Sequence, residues 1–152
     1  MQSLSPSVPP VQPRPGVYIA SPRALVLEAQ HWARVLEGNG VRVVSTWHRR
    51  YMFGESDPVG AAATEVLKLN VRELHEARVV VLLLSVFASP RETYIEVGRA
   101  LERGVPVFWH LLDKMLPDGA MSILPLSIAE TAPLESLADA TERLVALTKN
   151  AP

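Results

Sequence analysis

The chain has no cysteine, which excludes disulfides, thiolate metal sites and a cysteine nucleophile. It has no excess of either charge. Fifteen Lys and Arg against 16 Asp and Glu leave a net charge of −1, so nothing drives binding to the phosphate backbone of a nucleic-acid polymer. No apolar run reaches the roughly 18 residues that a membrane span needs. The first residues also lack the basic-then-apolar pattern of a signal peptide. The expectation is a cytoplasmic protein with no membrane partner and no polymeric nucleic-acid partner. Neither a G-x-G-x-x-G fingerprint nor a Walker sequence is present, which argues against dinucleotide or nucleoside-triphosphate binding by those routes. The four histidines, His31, His48, His75 and His110, show no metal-ligand spacing, so no metal site is expected.

What is present has the length of one domain: 152 residues can bury about 68–70% of the unfolded surface. Residues 1–15 hold Pro6, Pro9, Pro10, Pro13 and Pro15 among Ser and Gln. That composition predicts an extended, disordered tail ahead of a single domain over 16–150. The domain opens on a short apolar strand, Gly16-Val-Tyr-Ile-Ala20. Ser21-Pro22 reads as an N-cap followed by proline at the first helical position. The helix after it runs over 24–36 with Leu25, Ala29, Trp32 and Leu36 on one stripe, and Gly38-Asn-Gly40 stops it. Val41-Arg-Val-Val44 is a second strand and 45–57 a polar, aromatic loop. Pro58 opens a helix lasting to about Glu76. The third strand, Arg78–Leu84, ends in the unbroken run Val79-Val-Val-Leu-Leu-Leu84, which marks a strand buried on both faces of a parallel sheet. A helix near Glu92–Arg103 ends at Gly104, Val105–Trp109 is a fourth strand, 123–128 a weak fifth, and Leu134–Leu147 a closing helix with Leu134, Leu137, Leu144 and Leu147 at helical spacing.

Strands alternating with helices imply an α/β three-layer sandwich with right-handed crossovers. The expected architecture is flavodoxin-like (Rossmann-like), with a parallel five-stranded sheet in the order 2-1-3-4-5. Ligand-facing loops then start at Ala20, Ser45, Ser85 and His110, because open α/β sheets bind ligands outside the carboxyl ends of their strands. Glu96 lies about one and a half turns into the helix that follows strand 3. Desolvated there, a carboxylate can act as nucleophile or general base; exposed, it would only complement the helix dipole. Ile95, Ala100 and Leu101 are expected to pack inward. Gly98 costs about 1 kcal/mol against alanine inside a helix, which suggests a close backbone approach. Ser21 and the N–H groups of the helix after it could hold an anion or a sugar hydroxyl. The stretch Thr46-Trp-His-Arg-Arg-Tyr-Met-Phe53 combines a flat aromatic, a histidine and two cations, as stacking on a base-sized ligand requires; otherwise its Trp47 and Phe53 fold back on the core. Asn70, Arg72 and Glu73 lie near the end of the helix before strand 3, where Asn70 could face the cleft.

Taken in order, Val17-Tyr-Ile-Ala-Ser21, Asn70-x6-Ala77, Glu96-Val-Gly-x-Ala100 and Gly104-Val-Pro-Val107 resemble the nucleoside 2-deoxyribosyltransferase superfamily, which includes nucleoside 5′-monophosphate N-glycosidases. The resemblance covers roughly residues 16–110. It implies a flavodoxin-like fold, a homodimer or higher homo-oligomer, no cofactor, and a nucleoside or nucleotide substrate. It also implies that Glu96 attacks the anomeric carbon of the sugar, or supports water doing so. Tyr18 matches the tyrosine beside that carboxylate, and Trp47-His-Arg-Arg50 with Gly54-Glu55 looks like the base-recognition loop of the cytidylate-type N-glycosidases. Trp47, His48 and Arg49 would thus serve the base, Ser21, Arg23, Ser89 and Arg91 the 5′ side, and Gly98 is grouped with these substrate-binding residues. The chain departs from the family in two places. Asn70 stands where the family has aspartate, and an amide cannot donate a carboxylic proton. The loop Ser89-Pro-Arg-Glu-Thr93 is one residue longer, lacks glycine, and carries Glu92, which would repel phosphate.

The expected activity is cleavage of an N-glycosidic bond, as hydrolysis or as base exchange, with water access set by a lid around 111–122. A non-catalytic nucleotide-sensing module of the same fold is one alternative, and cleavage of NAD another.

Overall fold

Uninterrupted apolar runs become the strands. In the computed structural model, which describes residues 16–50, 60–85, 87–112 and 131–149, the strands are β1 (Gly16–Ala20), β2 (Arg42–Val43), β3 (Ala77–Leu84), β4 (Val107–Leu111) and β5 (Thr131–Pro133). They form one parallel sheet, as the alternation of elements predicts, in the expected order β2-β1-β3-β4-β5. The central strands β1 and β3 are buried throughout except at Arg78, because helices cover both faces of the sheet.

The helices are α1 (Val26–Gly38), entered through a 3-10 turn at Arg23–Leu25, then α2 (Trp47–Arg50), α3 (Ala61–Glu76), α4 (Arg91–Glu102) and α5 (Leu137–Lys149). α1 buries Val26, Ala29, Trp32, Ala33 and Leu36 and touches α5. Right-handed crossovers place α3 and α4 on the opposite face. β1 starts so close to the segment after β2 that a Cβ on Gly16 would collide with the Val44 side chain. At the end of α4, Gly104 takes φ 72°, a left-handed turn that favours glycine.

Several expectations are corrected. Ser21 is not an N-cap: its Oγ donates to the Pro22 carbonyl at 3.1 Å, and the chain passes through the 3-10 turn before α1. Part of the supposed loop after β2 is helical, as α2. Ile95 is 62% exposed, so it does not pack inward, and the closing helix begins at Leu137 rather than Leu134. β4 begins two residues later than Val105, because the Val105 N–H donates back to Ala100 O at 2.9 Å in the turn that ends α4, and Pro106 has no N–H to give a ladder. His110 therefore lies within β4 rather than starting a loop; its Nδ1 bonds Leu134 O at 2.7 Å. A Cβ on Gly98 would meet nothing within 4 Å, so no close approach among the described residues explains that glycine. The fifth strand is Thr131–Pro133. The tail 1–15, the supposed strand 123–128, residues 51–59 and most of the lid region lie outside the described residues.

Candidate functional site

Glu96 reaches the end of the sheet because of the stripe it occupies on α4. Thr93, Val97 and Ala100 are the residues α4 buries, and positions three and four apart share a face. Glu96 sits on the edge of that stripe, three after Thr93 and four before Ala100. From β1, the wholly buried Tyr18 donates its phenolic O–H to Glu96 Oε1 at 3.0 Å. Oε2 makes no hydrogen bond among the described residues. Burial pushes the Glu96 carboxyl up to about 7; the Tyr18 hydrogen bond opposes the rise and the charge of Glu92 adds to it. The Tyr18 phenol is pushed far above its ordinary range by burial and then by Glu96, so it remains a donor. Glu73 pushes it the same way and Arg50 opposes.

Glu96 opens into a cleft of about 560 Å³. Ser21 and Arg23 come from the segment after β1, Ser89 from the segment after β3 and Arg91 from the start of α4; Trp47, Asn70, Glu92 and Leu67 also line it. β1 and β3 are the strands between which the connections reverse direction, the switch point where such sheets form their crevices. Trp47 lines the cleft but, as in the alternative reading, also folds back on the core: it is 6% exposed within the core cluster, and its indole Nε1–H donates to Ile19 O at 2.7 Å.

Three residues expected with the substrate lie elsewhere. His48 is fully buried and Arg49 points outward to pair with Glu37. Both line a second cavity of about 200 Å³ beside Gln30 and Arg34 of α1. The cause is the turn of α2, where each residue is rotated about 100° from the last, so that only Trp47 of the three faces the cleft. His48 Nε2 bonds Ser45 Oγ at 3.2 Å, and burial lowers the affinity of its ring for a proton. Gly98 lies on the exposed side of α4.

The link between Arg50, of the Trp47–Arg50 stretch, and Glu73, on the helix of Asn70, is what sequence reasoning missed. Glu73, 6% exposed, accepts from the Thr46 N–H at 2.9 Å and from the Thr46 hydroxyl. Arg50 donates through Nη1 to Thr46 Oγ1 at 2.9 Å and through Nη2 to Asn70 Oδ1 at 2.7 Å, with Glu73 Oε1 at 3.9 Å. The available signal was the spacing of Asn70 and Glu73, three apart on one face of α3 beside the buried Leu74. A carboxylate on a buried face needs a cation or donors. Among the described residues no group of three or more His, Cys, Asp or Glu side chains is arranged to hold a metal, and no helix is long and apolar enough to cross a membrane.

No family model matches the sequence, and no curated protein matches it. Solved structures do. A 2-deoxyribosyltransferase from Bacillus psychrosaccharolyticus superposes with a TM-score of 0.59 at 20% identity, over 83% of this chain and 90% of that one. A conserved protein from Enterococcus faecalis gives 0.57 at 15% identity, over 87% and 98%. The CMP N-glycosidase of Clostridium botulinum gives 0.53 at 16% identity, over 87% and 98%. At these identities the likeness is one of architecture: the chain has the α/β fold on which a 2-deoxyribosyltransferase and a CMP N-glycosidase are built.

Proposed function

We propose that this protein cleaves the N-glycosidic bond of a nucleoside or nucleoside 5′-monophosphate, with Glu96 as nucleophile. The observation that carries the reading is the Tyr18–Glu96 pair: a carboxylate raised to about 7, held through one oxygen by a buried phenol, at the mouth of a cleft at the switch point. The fold shared with a deoxyribosyltransferase and a CMP N-glycosidase and the order of motifs along the chain support it.

In the first step a carboxylate oxygen of Glu96 forms a bond to the anomeric carbon while the carbon–nitrogen bond breaks, its electron pair leaving on the base. Tyr18 keeps Oε1 oriented, which leaves Oε2 to attack. In the second step water attacks the same carbon and releases the carboxylate; the proton the water loses balances the one the base gains. A second base in place of water completes a transfer. Two displacements in sequence split one difficult step into two easier ones. Trp47 offers its ring to the base, Asn70 contacts the same end, and Ser21, Arg23, Ser89 and Arg91 receive the 5′ side.

The test is chromatography of free bases after incubation with nucleosides and their 5′-monophosphates, with and without an acceptor base. Wild type releases base and Glu96→Ala does not; release only with an acceptor marks a transferase. Binding without release by wild type across the whole panel would leave a sensor.

A further inference from the structure

The direction of every hydrogen bond in the Glu73–Thr46–Arg50–Asn70 chain is settled by chemistry. An ionised carboxylate only accepts and a guanidinium only donates. The Thr46 hydroxyl therefore gives its one proton to Glu73 and accepts from Arg50 Nη1 at 2.9 Å. Arg50 Nη2 in turn must meet an acceptor on Asn70, and it meets Oδ1 at 2.7 Å. Turning the amide over would set Nδ2–H₂ against the guanidinium, donor against donor. Arg50 is itself held in place by Thr46 and by the buried Glu73 carboxylate. The amide is thus locked by a chain of bonds that begins in the core. Asn70 lines the cleft, and its Nδ2 hydrogens make no hydrogen bond among the described residues. Arg50 comes from the same short helix as Trp47, and Trp47 lines the cleft together with Asn70.

We propose that Arg50 makes Asn70 a donor-only contact to the base, so that the cleft selects nucleosides presenting an acceptor there, a carbonyl oxygen or a bare ring nitrogen, over those presenting an N–H. This rests on reading the cleft as a nucleoside site. A site built to hydrogen-bond one group rejects an analogue that leaves the buried polar group unpaired. One such bond is worth about tenfold in affinity.

The probes are inosine against adenosine and uridine against cytidine, each pair exchanging carbonyl for amino group and, with it, ring N–H for bare nitrogen. Binding is measured by calorimetry to Glu96→Gln, which cannot form the sugar ester, so that recognition is read apart from turnover. At least one pair is expected to differ by about tenfold. Adding Asn70→Asp, which presents an acceptor beside the same arginine, should reverse the preference within that pair. Adding Arg50→Gln, whose amide can turn either face, should shrink the preference to about twofold or less by freeing Asn70 to turn as well. Reversal and collapse together establish the lock. Binding with ratios that neither variant changes overturns the donor assignment and leaves the glycosidase reading standing. No binding by any of the four nucleosides, together with no base release by wild type, overturns both.

Discussion

A carboxyl group half protonated near neutral pH exposes its role to a pH profile. Burial holds Glu96 at about 7, against an ordinary value of 4.5, and only the ionised form attacks carbon. kcat/KM should therefore rise tenfold per pH unit below about 7 and level off above it. Tyr18→Phe removes the hydrogen bond that opposes the rise, so its limb should move to higher pH, and its plateau should fall on the order of tenfold or more. The same titration affects folding. The folded value lies above the unfolded one, so the contribution to stability is fully present below about 4.5 and is lost as pH rises through about 7. Glu96→Gln never ionises. Urea unfolding should find it close to wild type at pH 4 and more stable by roughly 3 kcal/mol at pH 8.

At the scale of the element, two helices show what pattern reading reaches and where it stops. The position of Glu96 was legible, because an unbroken apolar strand followed by a helix puts a carboxylate at the end of the sheet. Its orientation was not. Of Ile95, Ala100 and Leu101, expected to pack inward, Ala100 is buried and Leu101 packs against the core, but Ile95 ends 62% exposed. Thr93 and Val97 take the inward stripe instead, while Glu96 turns toward Tyr18. In α2 the obstacle is length, since four residues are too few for a period to show. Yet that single turn decides that Trp47 faces the cleft, His48 faces α1 and Arg50 reaches Asn70. Glu73 ties α2 to α3, and its replacement by alanine strands Arg50 beside unsatisfied Thr46 groups. Glu73→Ala should cost about 3 kcal/mol in urea unfolding. It should also weaken base release beyond the loss of folded protein, since Trp47 and Asn70 lose their shared anchor.

At the scale of the whole molecule, the parallel sheet was readable because strands alternate with helices and buried parallel strands announce themselves by runs without alternation. The order of the strands was only weakly legible, since one crossover hand fits more than one order. The edge was not readable in the same way. β5 has three residues, and so short a strand leaves no periodic trace. The topology sets Tyr18, from one central strand, against Glu96, from the helix after the other, so folding itself assembles the site and ligand binding should report on the whole domain. A nucleoside that binds only the folded form stabilises it by about 2.7 kcal/mol at one hundred times its Kd. For a domain of this size each kcal/mol is worth roughly 2–4 °C. Thermal unfolding of Glu96→Gln with its preferred nucleoside should therefore shift Tm upward by about 5–10 °C. Trp47→Ala in the same background should abolish most of that shift, because the base loses its stacking face. An unchanged shift would place the nucleoside away from this cleft, whatever the enzyme releases.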